Sequence, residues 1–202
     1  MKKILKKTAY LLIIIALTFS MQSCEIFGLE YQTDFINTPA PAKTELGISA
    51  YKFIESRKNI DMALTFEAIE KAELKSLYET DSLTFFLIND VSFADLLASK
   101  KISSVAAATK GELQTLLKGY IVKGIYTSTK NLSTTPIVVM SENGVNKIQM
   151  RLEPKATSNQ DLHKIQANYV PASGVVTKYN TVISSNIKPT NGIIHILYSK
   201  FY

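Results

Sequence analysis

The chain has 202 residues, 46% of them apolar and 20% charged, which is typical of a single globular domain and excludes a disordered or collagen-like protein. Its formal charge of +6 is unevenly distributed, because residues 1–24 hold four of the 23 basic residues and none of the 17 acidic ones. The rest of the chain has 19 basic and 17 acidic residues, and this near balance predicts no nucleic-acid partner. A single cysteine and two histidines exclude an intramolecular disulfide and a cysteine-based zinc site, and we expect no cofactor.

Residues 1–23 are predicted to be an export signal. The basic residues 1–7 precede an apolar run, 9–19, which is too short to cross a hydrocarbon core of about 30 Å as a stable helix. Residues 20–24 (SMQSC) resemble a bacterial lipobox, whose cysteine sulfur accepts a diacylglycerol. The resemblance implies lipid attachment at Cys24 and a membrane-anchored protein of the cell envelope, on the periplasmic or surface face of the outer membrane. The alternative is an incidental cysteine after a conventional signal peptide.

Residues 24–45 are predicted to be a tether between the lipid and a single domain, 46–202. Residues 39–41 (PAP) favour extended polyproline geometry, which advances about 3 Å per residue and would lift the domain off the membrane. Tyr31 and Phe35 are unusual in a fully solvated spacer. We therefore expect part of the tether to dock on the domain.

The start of the domain predicts helices and then a strand. Residues 50–57 have the pattern of a short helix, and from 62 to 77 apolar residues recur at helical spacing with Glu and Lys between them. Residues 81–82 interrupt this pattern. The apolar run Leu83–Ile88 has the length of a strand that is buried on both faces.

Two further helices are predicted from capping boxes. In this motif the first side chain bonds the backbone N–H three residues later, and the acidic side chain there bonds back. Ser92 with Asp95, and Thr109 with Glu112, have this spacing. Helices are therefore expected to begin near Ser92 and at Thr109, which makes the first half of the domain helix-rich.

The second half changes to the alternation of strands. Residues 137–140, the dipeptide 143–144 (NG) and the alternating apolar residues of 148–152 predict a hairpin with a type I′ turn. Further strands are predicted at residues 165–169, 174–183 and 193–198. Helices followed by strands predict an α+β fold.

Three segments, in chain order, resemble those of a known family. Residues 83–93 (LTFFLINDVSF) resemble the first signature of the fasciclin (FAS1) domain, T-V-F-A-P-T-N-x-A-F, and 191–196 (NGIIHI) resemble the second, N-G-V-I-H-V-I. Between them, 116–124 (LLKGYIVKG) resemble the family's L-L-x-Y-H-V-V-x-G element. The resemblance covers 46–202 and implies a single fasciclin-like domain, with a helix-rich first half and a β-sandwich or wedge from the second half.

The chain departs from these signatures at three places. This chain has Leu87-Ile88 where the family signature has Ala-Pro, and Gly119-Tyr120 where it has Tyr-His. It has Leu197 where an acidic residue is common. The resemblance implies that Tyr120 places a ring where the family's histidine packs. Because these motifs are mainly scaffold in the family, they imply the fold more strongly than the function.

Four signature residues have roles that follow from their chemistry. Asn89 and Asp90 lie between a strand and a helix, where their side-chain oxygens can cap backbone N–H groups. Gly192 is expected to give its turn a positive φ. His195 lies between two isoleucines of a strand, which predicts a buried, neutral, hydrogen-bonded imidazole rather than a ligand or a catalyst.

A catalytic site is not predicted. Nucleophilic catalysis needs Ser or Cys beside a His and an orienting acid. The sequence contains no nucleophile-elbow, phosphate-loop or H-E-x-x-H motif. Asp161 and His163 would share one face of an extended strand, but two residues at this spacing are weak evidence. We therefore predict that the protein is not an enzyme.

Four residues are candidates for binding a partner. In animal fasciclin-domain adhesion proteins, an Asp-Ile dipeptide in the loop before the second signature is implicated in integrin recognition, and Asn186-Ile187 holds that place here. Because Asn lacks the carboxylate that a receptor-held cation needs, we do not expect integrin recognition. Tyr126 and Tyr179 are candidates for stacking on a sugar, with packing on the domain as the alternative.

Residues 81–83 resemble an O-glycosylation acceptor of Bacteroidota, and Ser82 would be the acceptor.

The expected function is that of a lipid-anchored protein of the bacterial envelope, of Bacteroidota type. Its domain is expected to bind an extracellular protein or polysaccharide, in cell adhesion or matrix contact. A single module predicts modest affinity, so many displayed copies would have to supply strength. The alternative is an accessory lipoprotein of an outer-membrane glycan-uptake system.

Overall fold

The computed structural model describes residues 45–154 and 164–201. The predicted signal, Cys24 and the tether up to residue 44 lie outside these ranges, as do Asp161 and His163. The described chain forms helices in its first half and mainly strands in its second, so the predicted α+β fold is confirmed. Within the two ranges, no helix has both the length and the apolar character needed to cross a membrane.

The helices of the described chain are α1 (Ala50–Ser56), α2 (Ala63–Ala72), α3 (Asp90–Ser99) and α4 (Lys110–Lys118). The helix predicted over 62–77 is shorter than expected, because Glu73 takes a left-handed φ of 55° and ends α2. Leu77 lies instead in a 3-10 turn, Leu77–Glu79. Apolar spacing does not show this stop, since Leu74 and Tyr78 beyond it are also buried.

Helix α3 begins earlier than its predicted capping box. Asn89 is extended and its side-chain oxygen accepts a 2.9 Å hydrogen bond from the Ser92 N–H, so Asn89 is the N-cap and Ser92 lies inside the helix. The Ser92–Asp95 capping box is therefore wrong, and the predicted capping role of Asn89 is confirmed. A cap three residues upstream satisfies the same backbone group.

Asp90 caps a different helix from the one it begins. Its carboxylate accepts hydrogen bonds from the N–H groups of Ala63 (3.0 Å) and Leu64 (2.8 Å), at the start of α2. The negative charge also suits the positive end of that helix dipole. At α4, the predicted capping box of Thr109 and Glu112 is confirmed in both directions.

The seven strands of the described chain are β1 (Leu83–Leu87), β2 (Ile121–Lys123), β3 (Ile137–Met140), β4 (Lys147–Leu152), β5 (Ile165–Tyr169), β6 (Asn180–Ile187) and β7 (Gly192–Leu197). They form one sheet in the order β2-β1-β7-β6-β5-β4-β3, in which only the β1–β7 pair is parallel. The Glu142 N–H donates a 2.8 Å hydrogen bond to the Ile121 carbonyl, beside a bridge between Val122 and Ser141. The two edges of the sheet therefore approach each other, and the sheet is nearly a closed barrel.

The predicted hairpin is confirmed, but its turn is not of type I′. Residues 137–140 pair with 147–150, and Gly144 has a φ of 69°. Asn143 does not adopt the positive φ that a type I′ turn requires of both central residues. Its side-chain oxygen instead accepts 2.9 Å hydrogen bonds from the N–H groups of Val145 and Asn146. A local side-chain bond has replaced the tighter backbone turn.

The strand predicted over 174–183 begins only at Asn180, so its first part is wrong. At Lys178 the backbone carbonyl accepts a 2.7 Å hydrogen bond from the Asn168 side chain. A side-chain amide thus satisfies backbone that a strand ladder would otherwise pair.

Aromatic side chains fill the space between the sheet and the helices. Phe86 of the fully buried strand β1 is 1% exposed and contacts the rings of His195 and Phe201. Tyr120 and Tyr169 pack on the same Phe201 ring. Helix α2 packs against α3 and α4 over this core. The sheet therefore forms the predicted wedge, against which the helices pack, but its strand β1 comes from the first half of the domain.

Candidate binding groove

An open groove of about 950 Å³ lies where β1 and β7 begin. Four chain segments line it: Glu45–Gly47, Asp81–Ser82, Ile125 and Lys188–Ile193. The first segment is held against the fourth, because the Leu46 N–H donates a 2.9 Å hydrogen bond to the Lys188 carbonyl. We call this feature the β1–β7 groove.

The β1–β7 groove has an apolar floor and a polar rim. Pro189 and Ile193 are buried, and Leu46 and Ile125 are half-buried. The rim carries exposed side chains of both charges and two hydroxyls: Glu45, Asp81, Ser82, Lys188 and Thr190. An extended chain could place apolar groups on the floor and polar groups along the rim. Such a mixed, open surface suits a polymer better than a small molecule, which needs an enclosed pocket.

Asn191 fixes the wall of the groove. Its side-chain oxygen accepts a 2.8 Å hydrogen bond from the Ala50 N–H, and its amide donates 3.0 Å bonds to the carbonyls of Tyr78 and Thr80. The side chain is 5% exposed, so these bonds are shielded from water. One amide thereby joins α1, the 3-10 turn and β7.

Gly192 is required for close approach rather than for a positive φ. Its φ lies outside the left-handed region, so the expectation of a positive φ is wrong. A Cβ at this position would overlap the carbonyl oxygen of Leu83 on the neighbouring strand β1. The backbone of β7 therefore lies against β1 in a way that only glycine permits.

His195 is a core histidine, as predicted. It is fully buried, and its Nε2 donates to the Tyr126 carbonyl over 2.7 Å while its Nδ1 accepts a 3.3 Å bond from the Asn186 N–H. These partners fix a neutral ring with its proton on Nε2. Burial lowers the pKa of His195 to about 4, against a smaller opposing effect of the Tyr126 carbonyl. His195 thus joins β6 and the chain after β2 to β7, and both of its ring nitrogens have a partner.

A family model described as the fasciclin domain matches residues 61–199, more than two thirds of the chain. The chain belongs to the fasciclin family. The solved structures include a FAS1 domain pair from the insect cell adhesion molecule fasciclin I, which is 12% identical with a TM-score of 0.46. That match covers 76% of this chain and 45% of the solved domain-pair chain, so this chain spans less than half the length of that structure. No curated protein matches the sequence.

In this fasciclin domain Asn186 and Ile187 lie at the end of strand β6, not in a loop. Asn186 has a left-handed φ of 59° at an irregularity of the β6–β7 pairing. Its side chain accepts a 3.0 Å hydrogen bond from the Ser128 N–H and donates a 2.7 Å bond to the Ser128 hydroxyl. Ile187 is half-buried opposite Ile194. Both residues are positioned next to the groove, and Asn186 orders the 125–130 loop beside it.

The two candidate tyrosines have different surroundings. Tyr126 follows the groove residue Ile125, is half-buried on the core and receives the ring bond of His195 on its carbonyl. The Tyr179 hydroxyl accepts a bond from Gln149, and the Arg151 guanidinium lies 4.0 Å from the centre of its ring. The stack with Arg151 occupies one face of Tyr179, which leaves a sugar only the other face.

The rim residues Glu45 and Thr190 and the amide of Asn191 were not singled out in the sequence. The N-G dipeptide of the second signature marked the position of Asn191, but its partners are more than 100 residues away in the chain. Ser82, predicted as a glycan acceptor, lies on the rim with a φ of 62° and an exposed side chain. Among residues 45–154 and 164–201, no group of three His, Cys, Asp or Glu side chains is placed to hold a metal ion.

Proposed function

We propose that this fasciclin-family chain is a lipid-anchored protein of the bacterial cell envelope that binds an extracellular protein or polysaccharide through the β1–β7 groove. The role is adhesion or contact with the extracellular matrix. The observation that supports it best is the groove itself, an open surface with an apolar floor and a polar rim on a rigid wall.

The rigidity of the groove favours binding over a role as a simple spacer. Asn191 holds one wall through three hydrogen bonds. The His195 ring bonds the backbone of Tyr126, next to the lining residue Ile125, and of Asn186. A surface that is already ordered loses little conformational entropy when it binds. One groove of this kind gives modest affinity, and many copies on one membrane give avidity.

The anchor is proposed from the lipobox-like residues 20–24. Acylation of the Cys24 sulfur and of its freed amine would supply several chains, enough for stable anchoring. The test is the mass of the N-terminal peptide of the mature protein, with Cys24→Ala as the matched variant. We expect lipid mass on the wild type and an unprocessed, unacylated precursor for the variant. An unmodified Cys24 thiol in the wild type would contradict the anchor.

Binding through the groove is tested by filling it. Thr190→Trp places a large ring on the exposed rim, and Thr134→Trp places the same ring at an exposed position outside the groove. We expect mild-detergent pulldown or a glycan array to detect a partner with the wild type and with Thr134→Trp. Thr190→Trp should bind that partner at least ten-fold more weakly, which corresponds to a loss of about 1.4 kcal/mol in binding free energy. Equal binding by both variants would contradict the groove as the site.

The identity of the captured partner separates two roles of the same site. A surface or matrix protein, or a polysaccharide of the cell exterior, supports adhesion. Capture of an outer-membrane transporter together with glycan binding supports the glycan-uptake role instead. Protease treatment of intact cells shows whether the domain lies on the cell surface. Digestion of the domain supports surface display, and full protection contradicts it.

A further inference from the structure

Three strongly exposed apolar side chains lie at the end of β7 opposite the groove. Ile60 and Val91 are each 72% exposed, and Tyr198 is 74% exposed. Ile60 lies in the turn after α1, Val91 in the first turn of α3, and Tyr198 directly after β7. We call these three residues the apolar patch.

Two hydrogen bonds bring the segments of the apolar patch together. The Asp90 N–H donates a 2.8 Å bond to the Asp61 carbonyl, which joins the residues next to Val91 and Ile60. The Ser92 hydroxyl donates a 3.2 Å bond to the Tyr198 carbonyl. The three side chains therefore belong to neighbouring backbone segments on one end of the domain. Exposed apolar side chains grouped at one end of a domain are a candidate interaction surface.

The charges around the apolar patch favour a lipid headgroup region. The Asp61 carboxylate forms an ion pair with Arg57, and the Asp90 carboxylate accepts hydrogen bonds from two N–H groups at the start of α2. Lys58 is exposed and lies two residues before Ile60 in the chain. Lys200 is half-buried, lies two residues after Tyr198 and donates to the Asp95 carbonyl. Tyrosine beside aliphatic residues and lysine is the composition found at membrane interfaces.

The position of the tether makes the membrane the available occupant. Twenty residues separate Cys24 from Glu45, where the described chain begins at the groove rim. At about 3.3 Å per residue such a segment reaches up to about 65 Å. Strand β7 has six residues, so the patch lies about 20 Å from the groove. An anchored tether therefore keeps the patch within reach of the bilayer at high effective concentration.

We propose that the apolar patch of Ile60, Val91 and Tyr198 docks on the surface of the membrane that anchors the chain. The proposal rests on the anchor of the proposed function. Because patch and groove lie at opposite ends of β7, docking turns the β1–β7 groove away from the bilayer and toward a partner. The domain is then an oriented module rather than one that tumbles on its tether.

The test uses the absence of tryptophan from the chain, since Tyr198→Trp creates a single reporter. The mature protein is reconstituted in vesicles of phosphatidylcholine and phosphatidylglycerol, with or without bromine on the acyl chains. We expect brominated lipid to reduce the fluorescence of Tyr198→Trp about two-fold, as for a side chain at the acyl boundary. The matched reporter Thr190→Trp, at the groove end, is expected to lose none.

A second pair of variants separates docking from chance proximity. Adding Ile60→Ser and Val91→Ser to Tyr198→Trp should abolish the quenching, because both side chains are exposed and neither supports the fold. Lipid mass on the N-terminal peptide is measured in the same sample. An acylated chain without quenching of Tyr198→Trp, or with equal quenching of Thr190→Trp, overturns the patch while leaving the anchor. An unacylated chain that is still quenched supports the patch and overturns the anchor.

Discussion

Phe201 stacks face to face on Tyr120, with ring centroids 4.7 Å apart and planes inclined by 5°, and its backbone N–H donates a 2.9 Å hydrogen bond to the Tyr120 hydroxyl. One tyrosine thus provides both the packing surface and the acceptor that fix residue 201 in the core. Burial raises the pKa of Tyr120 well above its usual range, so its hydroxyl stays protonated. Tyr120 is the ring that the resemblance implied at the position of the family's histidine, and its hydroxyl binds the backbone of Phe201.

Tyr120→Phe removes this acceptor and keeps the ring. The buried Phe201 N–H then lacks a partner, which we expect to cost about 1 to 3 kcal/mol in the free energy of unfolding. Urea unfolding of the wild type and of Tyr120→Phe measures this difference in the free energy of unfolding. Tyr198→Phe is the control, because that exposed hydroxyl should contribute less than about 0.5 kcal/mol. Equal stability of Tyr120→Phe and the wild type would show that the bond contributes nothing.

Phe86→Ala tests the aromatic core. The Phe86 side chain is 1% exposed and contacts two rings, so truncation leaves a cavity that we expect to cost about 3 to 5 kcal/mol. Val91→Ala is the exposed control and should change little. A melting temperature that is the same for both variants would mean that β1 does not lie in the core.

The lowered pKa of the buried His195 predicts that the protein loses stability on acidification. Its pKa is lowered to about 4 in the folded state and is about 6.5 when unfolded, so between these values only the unfolded chain binds the proton. Stability is therefore unaffected above about pH 6.5 and declines by about 3 kcal/mol as the pH falls to about 4.

The control for this pH dependence is His195→Gln, which removes the titrating ring. The variant should be less stable at pH 7, because it disturbs the bonds to Tyr126 and Asn186, but it should lack this decline. Unfolding free energies of both proteins from pH 7 to pH 4 test it. Parallel curves would mean that His195 binds its proton over the same pH range in the folded and unfolded states.

Gly192 and Gly111 give opposite expectations for the same substitution. Gly192→Ala would drive a Cβ into the Leu83 carbonyl oxygen, so we expect a loss of about 1 to 3 kcal/mol or failure to fold. Gly111 lies in α4 with open space around its Cβ position, and Gly111→Ala should stabilise by up to about 1 kcal/mol. Thermal melts of the two variants decide, and equal tolerance of both would refute the close β1–β7 contact.

Sequence reasoning worked where the signal is local. The capping box of Thr109, the hairpin of β3 and β4 and the buried strand β1 each depend on residues a few positions apart. It failed where a distant partner decides. Asp90 caps a helix that begins 27 positions earlier, and the bonds of Asn191 reach residues 141 positions away. The groove is built from such contacts, so its rim could not be read from spacing, whereas the core position of His195 could.

Site-specific photo-crosslinking from the groove on living cells tests the central claim most directly. A photoreactive residue replaces Thr190 on the groove rim and, as the matched control, Thr134 at an exposed position outside it. We predict an adduct with one extracellular protein or polysaccharide from position 190 that is absent from position 134, on a chain that sediments with the membrane. Identical adducts from both positions, or none from 190, would contradict a fasciclin domain that binds its partner through the β1–β7 groove.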